Sequence, residues 1–252
     1  MTPLAHSKAD LSTEAFFSFQ SRLWQPRCDS RSYRERQKLV GKLIRAEVAR
    51  LHREPYTIKV LDFGCGTGTI LKDLAHLGLR MTGVDSSRAM IDLGRSELAA
   101  FGTQVSLEWL RGDSGIGNYT SETYDIVLSL SVLEFVASAE ALLLNLCDRV
   151  ASGGLLVVSV PNRRSSLRAI ETFIYRHPGA FRRFSLLDHL TKPDSYLKYQ
   201  AHQFSRDDLL KIVSCDFIEE QHQFHIPPFL PRRMQSFEAI GMMLMVVFRK
   251  LT

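Results

Sequence analysis

The sequence predicts an α/β fold in one domain, a mostly parallel sheet with helices on both faces. Three observations lead there. From Ile58 to Val160, short apolar runs alternate with amphipathic stretches of helical period, as parallel strands joined by crossover helices do. The first apolar run ends in a glycine-rich turn, Gly64-Cys65-Gly66-Thr67-Gly68, that feeds a helix. The chain has 252 residues, 45% hydrophobic and 23% charged, which suits one such domain plus an insertion.

Residues 1–54 form an N-terminal helical section. Phe16, Phe17, Phe19 and Trp24 concentrate aromatics without strand alternation, so a short helix is expected, either packed on the domain or capping its site. From Tyr33 to Arg53, Leu39, Val40, Leu43, Ile44, Val48 and Leu51 make a stripe of helical period that Pro55 ends. The basic residues opposite read as a solvated face rather than a nucleic-acid stripe.

Residues 55–161 carry the strand–helix alternation. Ile58–Phe63 is the first strand. Ile70, Leu71, Leu74 and Leu77 line the helix after the turn, and Gly78 stops it. The second strand, Leu79–Val84, delivers Asp85 at its end. Ser86 and Ser87 are suited to cap a helix running to about Ala100. Val105–Leu110 leads into Asp113 and Ser114, and Tyr124–Leu130 into Ser131–Val136. A leucine-rich helix, Ala141–Val150, turns through Gly153 and Gly154 into the fifth strand, Leu155–Val160.

Residues 162–204 break the alternation. Leu167, Ile170, Phe173 and Ile174 form an apolar stripe among Arg163, Arg164, Arg168 and Arg176, which predicts a helical insertion. It reads as an inserted lid, with plain packing as the alternative. Its basic amphipathic character also suits contact with a membrane surface through 163–190. Residues 205–252 begin with Ser205 as an N-cap supported by Asp208. Two strands, Phe217–Phe224 and Ile240–Arg249, close the chain. The proline-rich loop between them offers Phe229, Arg232 and Arg233 to a substrate mouth.

The turn and its flanking acids imply a nucleoside ligand. Bare glycine backbone allows close approach, the amides at a helix start favour an anion, and a carboxylate after the second strand can accept both ribose hydroxyls. Dinucleotide folds use G-x-G-x-x-G. Here the glycines fall as G-x-G-x-G, with Asp62 two residues before the first. An acid there suits a ligand with an ammonium group, which points to S-adenosylmethionine. LDFGCGTG followed by GVDSSRAM resembles the cofactor motifs of class I S-adenosylmethionine-dependent methyltransferases, well over 33–161 and loosely beyond.

The resemblance implies a Rossmann-like, seven-stranded, mostly parallel sheet with an antiparallel terminal strand. It makes Asp62, Gly64, Cys65, Gly66, Gly68, Asp85 and Ser86 cofactor-binding, with S-adenosylhomocysteine as product. Asp113 and Ser114 are expected at the adenine, where the alternative is a turn-stabilising pair. Met90 lies against the adenine or in the core. Tyr33, in the stretch Tyr33–Arg36, resembles an aromatic-plus-arginine element near the methionine carboxylate. The segment from Leu130 through Val136 is expected beneath the sulfonium.

The acceptor is less legible. Many small-molecule members read leucine-glutamate-histidine after the fourth strand, and this chain has Phe135 in place of the histidine. Glu134 is then a helix-start acid or a polar site residue. His202, just before the Ser205 cap, is either structural or a candidate base. No Asn-Pro-Pro-Tyr or Asp-Pro-Pro-Tyr follows the fourth strand, which disfavours nucleic-acid bases as acceptors. The expected activity is methylation of a small molecule, with O-methylation of a secondary metabolite or quinone-like compound as first choice. An RNA or protein methyltransferase, suggested only by the net charge of +5, is the alternative, as is a cofactor-binding scaffold without catalysis. Cys28, Cys65, Cys147 and Cys215 form no C-x-x-C pair, so neither zinc nor a disulfide framework is expected. With no signal-peptide core in MTPLAHSKAD, and Ile240–Phe248 too short for a bilayer, a cytoplasmic location is expected.

Overall fold

The structure is a computed structural model and describes residues 15–18, 31–110, 122–181, 196–213, 215–227 and 230–252. Seven strands form one sheet: β1 (Lys59–Phe63), β2 (Arg80–Asp85), β3 (Val105–Trp109), β4 (Tyr124–Leu130), β5 (Val150–Pro161), β6 (Phe217–His225) and β7 (Met243–Lys250). Their order is β3-β2-β1-β4-β5-β7-β6. The first five pair in parallel, and β7 runs antiparallel to both β5 and β6. The expected sheet is the one observed.

The continuous apolar runs are explained by helices on both faces. On one face, α1 (Arg31–Leu51), α2 (Thr69–Leu74) and α3 (Arg88–Leu98) place Val40, Ile44, Leu71, Leu74 and Ile91 on Val60, Met81, Leu128 and Val247. On the other, α4 (Ala139–Asp148) and α6 (Arg206–Ile212) bring Leu142, Leu143, Leu146 and Leu209 onto Leu61, Phe63, Val127 and Phe248. Between them in sequence lies α5 (Ser166–Arg176), followed by a helical turn, Pro178–Phe181. Ile174 and Leu197 form a small core of their own, with Tyr175, Phe181 and Tyr196 against it.

The strand order reverses between β1 and β4. Neighbouring strands there send their chains to opposite sides, which opens a crevice at their carboxyl ends. The glycine-rich turn follows β1 into that crevice. The connection after β5 returns over the same edge, where Phe204 bridges Asn162 and Ser205 caps α6 in a full capping box with Asp208.

Two local expectations differ. Gly153 and Gly154 do not precede the fifth strand; they lie inside it, where the pairing with β4 shifts between Tyr124 and Ile126. Gly153 has φ 73°, and a Cβ on Gly154 would stand 2.7 Å from the Asp125 carbonyl oxygen, so the pair makes a bulge. The last strand starts at Met243 rather than Ile240, because Glu238–Ile240 forms a 3-10 turn. No helix among the described residues is long and apolar enough to cross a membrane.

Candidate functional site

The turn after β1 needs left-handed backbone at alternate positions: φ is 80° at Gly64, 57° at Gly66 and 71° at Gly68. Glycine alone adopts these without strain. At Gly64 a side chain would also meet Val132, whose Cγ2 lies 2.2 Å from the Cβ position. The Gly64 and Cys65 amides both donate to the Val84 carbonyl, at 2.8 and 3.0 Å, which ties the turn to β2. The Cys65 thiol is buried and pushed up by burial and by the charges of Asp85 and Asp62.

Asp85 clamps this assembly. Its Oδ2 accepts from the Gly66 amide at 2.8 Å and its Oδ1 from the Ser87 amide at 2.8 Å. Burial raises its carboxyl above the usual range, against the pull of those amide bonds. Each oxygen keeps acceptor capacity beyond one bond, so the clamp and a ribose diol are compatible. Ser87, the residue behind it, caps α3 through the Met90 amide at 3.4 Å. Ser86 is exposed, and its carbonyl accepts from the Trp109 indole at 2.9 Å. Met90 is buried beside this start.

Asp62 lies one strand over, buried on the α1 side of β1. Burial and then the charge of Asp85 push its carboxyl up to about 7, with Arg36 acting in the opposite sense. Arg36, on the first turns of α1, lies over the Tyr33 ring at 4.8 Å and donates from Nη1 to Ser131 Oγ at 2.7 Å. Ser131 extends β4 with φ 60°, an uncommon conformation for a residue with a side chain. Leu130 beside it is buried.

Glu134 follows in a 3-10 turn, Leu133–Phe135, and is buried. Burial lifts its carboxyl to about 7, offset by its own amide and by the charges of Arg36 and Arg168. Its carbonyl accepts from the Ala201 amide at 2.7 Å and the His202 amide at 3.3 Å. The two candidate catalytic residues are thus held together through the backbone. The His202 Nε2 stands 3.2 Å from the Ala137 carbonyl, so that nitrogen carries the proton and Nδ1 is the basic one.

Residues 15–18 lie across the site. Phe17 meets Phe135 edge-on with centroids 5.1 Å apart, Phe16 lies on Tyr199 at 4.4 Å, and Ser18 Oγ is 3.1 Å from Ser87 Oγ. One short segment therefore touches the α3 start, the β4 turn and the chain returning to α6. Arg168 of α5 is also buried. Its Nη1 donates to Glu171 Oε2 and the Tyr196 hydroxyl, both at 2.8 Å, and its Nη2 to the Met242 carbonyl at 3.1 Å and the Met243 sulfur at 3.3 Å.

Asp113, Ser114 and Phe229 lie outside the described residues, as does the side chain of Arg232; Arg233 is exposed. Sequence reasoning places Arg168 only among the basic residues around the α5 stripe and Arg36 only within its stretch, and it does not single out His225. A signal for Arg168 existed, since it interrupts the buried side of an apolar stripe. His225 gave none beyond ending a strand.

A family described as a methyltransferase domain matches residues 33–235. A ubiquinone biosynthesis O-methyltransferase of Rhizobium leguminosarum bv. trifolii is 32% identical over 116 residues, 46% of this chain and 45% of that protein. The chain spans about half the length of the curated relatives it matches. Magnesium protoporphyrin IX methyltransferase from Synechocystis PCC 6803, solved with bound SAH, superposes with a TM-score of 0.67 at 17% identity, covering 96% of this chain and 99% of that one. A Burkholderia thailandensis 1,6-didemethyltoxoflavin-N1-methyltransferase gives a TM-score of 0.62 at 15% identity, covering 100% and 93%. At such identities the structures show the shared fold.

Proposed function

Because this chain belongs to the methyltransferase-domain family, we propose that it transfers a methyl group from S-adenosylmethionine to a small-molecule acceptor. The observation that carries this is the placement of Asp62 and Arg36 at the crevice between β1 and β4, where the Arg36 charge acts on the Asp62 carboxyl. One buried acid and one half-buried guanidinium on the same side of the sheet suit the two charges of an amino acid. Asp62 receives the ammonium and Arg36, whose Nε is buried without a partner, the carboxylate. Tyr33 supports the guanidinium from below. The turn of Gly64, Cys65, Gly66 and Gly68 leaves room for the nucleoside, Asp85 accepts the ribose hydroxyls, and Met90, Asp113 and Ser114 border the adenine. Ser86 and Leu130 flank it.

The bound cofactor supplies an electrophilic methyl for in-line displacement. The chain's part is to align the acceptor opposite the leaving sulfur and to exclude water. The 1–54 section and the 162–204 lid serve that end, with Phe16, Phe17, Phe135 and Tyr199 as an aromatic wall. The names of the curated relatives favour a hydroxyl as the accepting atom. Glu134 and His202 are the nearer candidates to take its proton.

Calorimetry tests the core of this. S-adenosylmethionine and S-adenosylhomocysteine should bind, and Asp85→Ala should weaken both by roughly 1–3 kcal/mol. No heat from the unmodified protein would end the proposal.

A second partner is favoured by α5, whose Ile170 and Phe173 are 55% and 54% exposed. We propose that this side of the lid rests on a lipid surface. Arg163 and Arg164 nearby are already paired with Asp208 and with Asp207 and Glu238, so apolar contact is expected to dominate charge. Sedimentation with mixed neutral and anionic vesicles should fall for Phe173→Glu. Equal sedimentation of both proteins, or none of either, would remove the contact.

A further inference from the structure

Three of the buried polar atoms without a partner lie toward the carboxyl edge of the sheet. Arg36 Nε on α1, Glu134 Oε2 after β4 and His225 Nε2 at the end of β6 all lack a hydrogen-bond partner. They come from segments far apart in sequence, and Arg36 links them: its charge acts on both Glu134 and His225. Such orphans are uncommon in native folds because each carries a desolvation cost, and groups on a ligand would remove it.

Arg36 and Glu134 lie near the cofactor side. His225 does not. In the order β4-β5-β7-β6 it stands three strands from β4, about 14 Å at ~4.8 Å per strand. It pairs with Met243, which pairs with Pro161 of β5, so all three share the carboxyl edge of the sheet. The Met243 sulfur in turn meets Arg168 at 3.3 Å. His225 therefore stands at the carboxyl edge three strands from the β4 turn, where the proposed acceptor would extend away from the cofactor. Burial, with Arg36 outweighing Glu35, lowers its imidazole to about 4, so the ring is neutral near pH 7. A neutral ring can donate or accept one hydrogen bond at Nε2.

We infer that His225 is a specificity-determining residue, whose Nε2 hydrogen-bonds a polar substituent of the acceptor remote from the methylated atom. This rests on the methyl-transfer proposal above. It assigns His225 no part in proton removal, since the strand spacing sets it away from the sulfonium.

The test uses the full chain, labelled methyl donor, and simple phenols with and without a second hydroxyl or carboxylate on the ring. The unmodified protein should prefer the doubly substituted phenols. His225→Leu should raise KM for these roughly tenfold with kcat little changed, as loss of a binding contact does. His225→Gln, which keeps an amide donor and acceptor, should recover most of that loss. All three proteins should bind S-adenosylhomocysteine equally in calorimetry, which separates a pocket effect from misfolding. Unchanged KM in His225→Leu, an equal rise for singly substituted phenols, or no methylated phenol from a protein that binds S-adenosylhomocysteine would overturn the role of His225 alone. Absence of S-adenosylhomocysteine binding would take the methyl-transfer proposal down with it.

Discussion

Asp62 shows how one buried side chain can oppose stability at the place where the proposed cofactor would use it. Its carboxyl is raised to about 7 in the fold against 3.8 as an ordinary value. A raised acid favours folding while protonated, so its contribution is complete below about pH 4 and is lost as pH rises through about 7. Above that, the folded protein holds a costly buried charge. Asp62→Asn should therefore raise the apo melting temperature at pH 8, and a lower one would contradict the burial argument. An ammonium ligand needs the ionised form, so S-adenosylmethionine affinity should fall roughly tenfold per pH unit below about 7, and Asp62→Asn should abolish that slope. A proposed binding residue that destabilises the unliganded fold would be an ordinary cost of function.

Among the elements, α1 has two attachments. Its first turns carry Tyr33 and Arg36 to the site. Its later turns are anchored by Glu47, buried and bonded to Arg249 of β7 at 2.9 Å through both oxygens, and to Arg50 at 2.7 Å. Arg249 also pairs with Glu220 of β6. Burial alone would raise the Glu47 carboxyl, and the bonds and charges of Arg249 and Arg50 outweigh it, leaving it below 4.5. A depressed acid contributes stability above its unfolded value, and that is lost as pH falls through the folded one. Glu47→Gln should cost about 3 kcal/mol at pH 7, at the low end for breaking a buried pair, and less at acid pH. Denaturant unfolding at the two pH values measures it; an equal loss at both would mean packing rather than charge. The α5 element is fixed differently, by Arg168 reaching Glu171, Tyr196 and β7, so both ends of the 162–204 segment meet at one guanidinium.

At the scale of the molecule, a sheet with a core on each face holds the edges of five segments in one crevice: α1, the β1 turn, the β4 turn, the β5–α6 connection and the end of β6. None of these is adjacent in sequence to all the others. Residues 15–18 then cross from Ser87 to Phe135 and Tyr199, so the α3 start and the β4 turn share one cover.

The strand–helix alternation, the tight glycine turn after β1, the placement of Asp85 at the end of β2 and the Ser205 cap are legible in the sequence alone. These are local matters of period, backbone conformation and capping, settled within a few residues. Sequence reasoning misreads Gly153-Gly154, because a bulge depends on the register with β4 and not on the dipeptide. The place of Arg36 near Asp62, Ser131 and Glu134, the inward turn of Arg168 and the buried, unpartnered nitrogen of His225 come from packing alone. Those outcomes require strands and helices from distant parts of the chain to meet, and burial, which sets the charge state of Asp62, Glu134 and His225, exists only once they have.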